Sequence, residues 1–354
     1  MNINMKNTIF LSSLLAVCVT CIAQAETMDE LLVTSGSRTY DSLTTNHLTI
    51  GYSGGVGTVT VAGTTTINPN QTQANQTQAN YACLIQAGST LISKEIIFNS
   101  STDAVSRQFM IRGTVKTDKF SVSADDTYEA SVSVMNGAIV ESLSGGAATL
   151  EIGKDVTLKV GAKKGKVANA GTINVTTEIL DGASLNVYQN ATMSDINLDG
   201  GTINILQASD PTALGLQEVA IISDLTMNSG TLNISGDIKT GSLTLNGGTV
   251  YTSADYVIDL GENDLILGDN VAITLNVDSL DNIEGVTLFK NAGNVTGLDA
   301  LTVTFVDATG AEKEAAVSFS NGSVVTGTIP EPTTATLSLL ALAGLAARRR
   351  RASR

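Results

Sequence analysis

From Thr34 to Thr326 the chain alternates apolar and polar residues in short runs, and glycine and asparagine separate the runs. One small unit recurs. It reads Gly171-Thr172-Ile173-Asn174-Val175, Gly201-Thr202-Ile203-Asn204-Ile205, Gly230-Thr231-Leu232-Asn233-Ile234 and Gly241-Ser242-Leu243-Thr244-Leu245. Looser copies begin at Gly137, Gly182 and Gly248. A period of two puts the aliphatic residues of each unit on one face of a strand. Glycine suits the corner that follows, where positive φ is often needed. A five-residue strand cannot bury its own apolar face, but many stacked strands can, which is the physics of a solenoid. The pattern therefore predicts an all-β chain built as a β-solenoid, with a β-sandwich as the competing arrangement. Asn174, Asn186, Asn204 and Asn233 share a place in the unit and are expected to stack as a hydrogen-bonded ladder. The units are spaced irregularly, from about 7 to about 29 residues apart, so the loops between them must vary.

Strand patterning is already present in His47-Leu48-Thr49-Ile50 and Gly57-Thr58-Val59-Thr60-Val61. The pentapeptide Asn-Gln-Thr-Gln-Ala then occurs twice, and residues 70–80 are expected as a polar surface loop. Patterning resumes at Tyr81, and Asp210-Pro211 marks a further loop. No long amphipathic helix is expected between residues 26 and 329.

The two ends differ from this body. Lys6 precedes the mostly apolar stretch Ile9 to Ala23, and Ala23-Gln24-Ala25 has the A-x-A form of a cleavage site before Glu26. Residues 1–25 are expected to be a signal peptide removed by signal peptidase. A lipoprotein reading at Cys18 is poorer, because Val17 stands where a small residue is wanted. At the other end Pro330-Glu331-Pro332 leads into the apolar run Thr333 to Ala347, which is closed by Arg348, Arg349, Arg350 and Arg351. As a single hydrophobic helix that run would reach about 22 Å, short of a bilayer core of about 30 Å. The arginines should remain cytoplasmic and stop transfer. This order of motif, span and basic cluster resembles the PEP-CTERM sorting signal of Gram-negative envelope proteins. The resemblance covers residues 330–354 and implies an exosortase that acts near Pro330, Glu331 and Pro332. It also implies a transient anchor in the inner membrane and a product at the cell surface or outside the cell.

Charge narrows the partners. Of 20 basic and 34 acidic residues, Lys6, five tail arginines and Glu331 lie in the end segments, so the body keeps 14 basic and 33 acidic, near −19. That balance argues against nucleic acid and anionic membrane surfaces. Cys18 and Cys21 would leave with the leader, and Cys83 alone cannot form an internal disulfide. It is expected to act as a small buried hydrophobe.

Chemistry is sparse. The conceivable carboxylates are Asp195, Asp199, Asp259, Glu262 and Asp264, each of which also reads as a solvated turn residue. The single histidine, His47, reads as a surface residue, and Arg38, Arg107 and Arg112 are the only arginines of the body. Asp195-Ile196-Asn197-Leu198-Asp199-Gly200 matches the start of a calcium loop, but Leu206 stands where a bidentate glutamate is needed. No nucleophile elbow, zinc helix or phosphate loop is present. No catalytic residue, cofactor or metal is therefore assigned.

The body resembles the passenger regions of autotransporter-like adhesins and other pectin-lyase-like parallel β-helices. That resemblance implies a right-handed parallel β-helix whose closing strands are Gly285 to Lys290 and Leu301 to Phe305. The chain departs from autotransporters in ending with the sorting signal where they carry a membrane barrel. The expected function is structural or adhesive, without catalysis, at the cell surface and in contact with surface polysaccharide. A carbohydrate-binding module and a polysaccharide-cleaving enzyme are the alternatives.

Overall fold

The computed structural model describes residues 25–69, 81–100, 108–124, 129–161, 170–207 and 219–327. Ala23 of the cleavage site, the polar segment 70–80 and Asp210-Pro211 lie outside the described residues, as do Pro330, Glu331, Pro332 and Arg348 to Arg351. Ala25 opens the first strand, Ala25–Val33.

Strands take up 71% of the described residues, and no α-helix occurs among them. Every pairing among the described strands is parallel except those made by the last two strands, Glu312–Ser320 and Ser323–Gly327. Parallel neighbours exclude the antiparallel sandwich and leave an all-β, solenoid-like fold. Each coil lays short strands on three faces, here called A, B and C. Face A stacks Leu31, Leu48, Cys83, Phe109, Val132, Leu158, Leu185, Ile203, Leu232, Val250, Ile273 and Val303 in successive register. All twelve point inward and are 8% exposed or less. At about 4.8 Å per step the stack is about 53 Å long. Face B carries a similar column through Val115, Val140, Ile173, Met193 and Ile222, and face C one through Phe120, Leu150, Thr177 and Ile196.

The glycine unit is a strand with its corner, not a whole coil. Gly171 and Gly137 start face B strands, Gly241 precedes a face C strand, and Gly201, Gly230 and Gly248 lead into face A. This is why the units are irregularly spaced. Glycine also serves two different ends. At Gly230 and Gly248 φ is +102° and +99°, the left-handed region that L side chains resist. At Gly201 φ is not positive, but a Cβ would lie 2.6 Å from the Leu180 carbonyl oxygen and 2.8 Å from that of Ala183. There the neighbouring backbone, not the dihedral, excludes a side chain.

Buried hydroxyls secure other bends. Thr45, Ser93 and Thr117 each donate to the carbonyl two residues on, at 2.8, 2.7 and 2.8 Å. Phe98, Phe109 and Phe120 are fully buried in the early coils, with ring centroids 5.6 and 5.0 Å apart. The strand Thr287–Thr296 and the strand Thr302–Asp307 do close the parallel stack. An antiparallel hairpin then covers their edges, turning at Asn321 and Gly322 with φ of +49° and +74°.

Candidate functional site

The outward positions of face A carry short polar side chains in register. Asn204 Nδ2 donates to Asn186 Oδ1, and Asn233 Nδ2 donates to Asn204 Oδ1, both at 2.8 Å. The expected ladder therefore exists with three of its four members. Asn174 is not one of them: it lies on face B opposite Glu141. A second ladder, which repeat position alone does not reveal, runs along the corner before face A. Asn228 donates to Asp199 Oδ1 at 2.7 Å, and Asn246 to Asn228 Oδ1 at 2.7 Å.

The face A ladder ends at Tyr251, the register partner of Asn233, whose ring is 43% exposed. Beyond it the same position is Thr274. In the turn after that strand, Tyr256 reaches back to Gln207, and its hydroxyl makes a long 3.5 Å hydrogen bond to Oε1. Together Asn204, Asn233, Ser235, Tyr251, Ser253 and Tyr256 line a shallow open cleft of about 390 Å³, with Asn276 at one end. No charged side chain lines it. Behind it, between Ile234, Val250 and Phe289, is an interior void of about 10 Å³, too small for more than a water.

The carboxylates named from the sequence do not converge. Asp199 is tied to Asn228 in the corner ladder. Asp259 accepts from Asn291 Nδ2 at 2.9 Å and from Gly261 N–H at 3.1 Å, and Lys290 Nζ lies 3.6 Å away. Partial burial raises its pKa, but these hydrogen bonds and the Lys290 charge outweigh that and hold the carboxyl below its ordinary value. Asp264 accepts from Asn294 Nδ2 at 2.9 Å, and Glu262 sits at φ +71° in the same strand, Ile258–Val277. Asp259 and Asp264 thus tie neighbouring coils to one another. The calcium-like stretch does not curl into a loop. Ile196 to Gly200 run along the extended strand Ile196–Leu206, so Asp195 and Asp199 stand about 13 Å apart by strand rise. No group of three or more histidine, cysteine, aspartate or glutamate side chains suited to a metal occurs among the described residues.

Of two further residues singled out from the sequence, His47 departs from expectation and Cys83 meets it. His47, expected at the surface, is buried at 4% exposure in the strand Ser42–Ile50. Cys83 is fully buried between Leu48 and Phe109, and burial raises its thiol pKa well above the usual value, so it is held as the unreactive thiol.

The fold and site define an all-β, solenoid-like protein with an uncharged, open tyrosine–asparagine cleft on one face. No known protein family, curated protein or solved structure matches the chain.

Proposed function

We infer that the chain is an exported structural or adhesive protein of the cell surface or extracellular matrix, built as a right-handed parallel β-helix and without catalytic activity. The observation that supports this best is the way its polar groups are used. Asparagines bond to asparagines or aspartates on neighbouring coils, and Asp199, Asp259 and Asp264 are all engaged in such bonds. A surface spent on coil-to-coil ladders makes a stiff spacer. The net negative body resists aggregation and leaves neutral polymers as the compatible surroundings.

Export follows from the ends. Signal peptidase removes residues 1–25 after Ala25. The 333–347 span then holds the chain in the inner membrane, with Arg348 to Arg351 on the cytoplasmic side. An exosortase-type enzyme acts at Pro330, Glu331 and Pro332 to release it. Among the described residues no helix is long and apolar enough to cross a membrane, and the span itself lies outside them. Two measurements test the reading. Incubation with a panel of polysaccharides should yield no new reducing or unsaturated ends, and their appearance would make the chain an enzyme. Intact mass of the protein from its own host should lack Arg348 to Arg351. A mature chain that keeps them is a simple anchored protein.

A further inference from the structure

We propose that the cleft at the end of the face A ladder is a binding site for an uncharged, hydroxyl-rich glycan. This rests on the adhesive reading above and gives the adhesion its ligand class.

Three features of the cleft converge on that chemistry. The first is the aromatic surface. The chain has no tryptophan and seven tyrosines, and two of these, Tyr251 and Tyr256, line one cleft whose other lining residues are mostly Asn, Ser and Thr. Tyr251 stands 43% exposed, between the short polar Asn233 and Thr274 that hold the same position on the neighbouring coils. A tyrosine offers a flat apolar face with a polar tip, which suits the mixed C–H and O–H surface of a sugar ring.

The second is pre-set hydrogen bonding. Asn233 Nδ2 is committed to Asn204, which fixes the direction of its amide. Its Oδ1 therefore looks the other way, toward Tyr251, and among the described residues it accepts no hydrogen bond. The side-chain hydroxyls of Ser235 and Ser253 flank it, one on its own coil and one on the next. A fixed acceptor flanked by hydroxyls beside an aromatic face loses little entropy when a polyol binds.

The third is charge. The cleft is lined by no acidic or basic side chain, and the body around it is strongly acidic. An anionic sugar would meet repulsion without a cationic partner, and a cationic ligand would find no carboxylate in the lining. The cleft is open along its length, so it accommodates a segment of polymer better than an enclosed small molecule.

The test is affinity electrophoresis of the full-length chain in gels that contain a neutral glucan, a neutral mannan, an acidic uronan or no polymer. A neutral glycan should retard the chain. Tyr251→Thr introduces the residue that the next coil carries at that position, so melting and circular dichroism should stay unchanged. Retardation by the neutral glycan should weaken about tenfold or more. If Tyr251→Thr melts early, Tyr256→Leu, which removes the ring but keeps an apolar side chain against the core that Tyr256 packs on, gives the same readout. Retardation by the acidic glycan alone, by no polymer, or equally in wild type and both variants overturns the site. Loss of the site with no cleavage products leaves the structural reading intact, whereas cleavage products overturn that reading itself.

Discussion

At the scale of single residues, the side chains that matter most to the fold are those the chain omits. Gly230 has φ +102°, and a Cβ there would press on the Gly201 carbonyl of the coil below. Gly230→Ala therefore combines a strained dihedral with a backbone clash, and it should cost about 2–3 kcal/mol in denaturant unfolding. A loss below about 0.5 kcal/mol would show that the corner relaxes freely. Asp259 carries a pH signature. Its folded-state pKa lies below the ordinary carboxylate value, so its contribution to stability is present above that value and is lost as pH falls through the depressed one. Wild type should melt higher than Asp259→Asn at pH 7, and the gap should narrow as pH falls below the ordinary carboxylate value of about 4. A gap that stays constant would mean that the hydrogen bonds from Asn291 and Gly261 do not depend on the charge. Repeat position was a good guide to Asn186, Asn204 and Asn233, because all three lead from the same corner into face A. It failed for Asn174, since the same Gly-Thr-Ile-Asn string also builds face B. His47 misled for a related reason: a lone polar residue at a strand start gives no sign of which side the strand turns inward.

At the scale of elements, period-two alternation made the strands legible, because the buried column on each face is the run of aliphatic residues itself. Pairing partners were not legible, since parallel register links residues 17 to 35 positions apart through loops of variable length. The final hairpin shows another limit. Its strands read like the rest, and their reversed direction rests on the Asn321-Gly322 turn, a type I′ signature that belongs to antiparallel neighbours. The hairpin covers the edges of Thr287–Thr296 and Thr302–Asp307, which would otherwise offer open backbone to another chain. Replacing Asn321 and Gly322 together by valine puts β-branched residues at positive φ and should undo the turn. The variant should form oligomers or bind thioflavin at concentrations where the parent stays monodisperse in size-exclusion chromatography. If it stays monodisperse with the parent's melting point, the hairpin is not a protective cap.

At the scale of the whole molecule, each coil touches only its neighbours, so stability is close to a sum of coil and interface terms and the ends set where opening begins. The ends are unequal. At the C-terminal end the hairpin gives the last parallel strands a hydrogen-bonded partner. At the N-terminal end Ala25–Val33 pairs only with Ser42–Ile50, and Gly36–Tyr40 only with Gly57–Ile67, so among the described residues the outer edge of this first coil is unpaired. That edge is also poor in buried apolar side chains, because Gly36 to Thr39 are all exposed. The central coils, from Leu158 to Val250 on face A, have a packed neighbour on both sides. Native-state hydrogen exchange should therefore be fastest in residues 25–40, intermediate in the closing hairpin and slowest in the central coils. Exchange that is uniform along the chain would mean a single all-or-none unit, and protection of residues 25–40 equal to the centre would mean that something else covers the open edge. The gradient is a consequence of stacking alone, so it should hold whether or not the tyrosine–asparagine cleft is occupied.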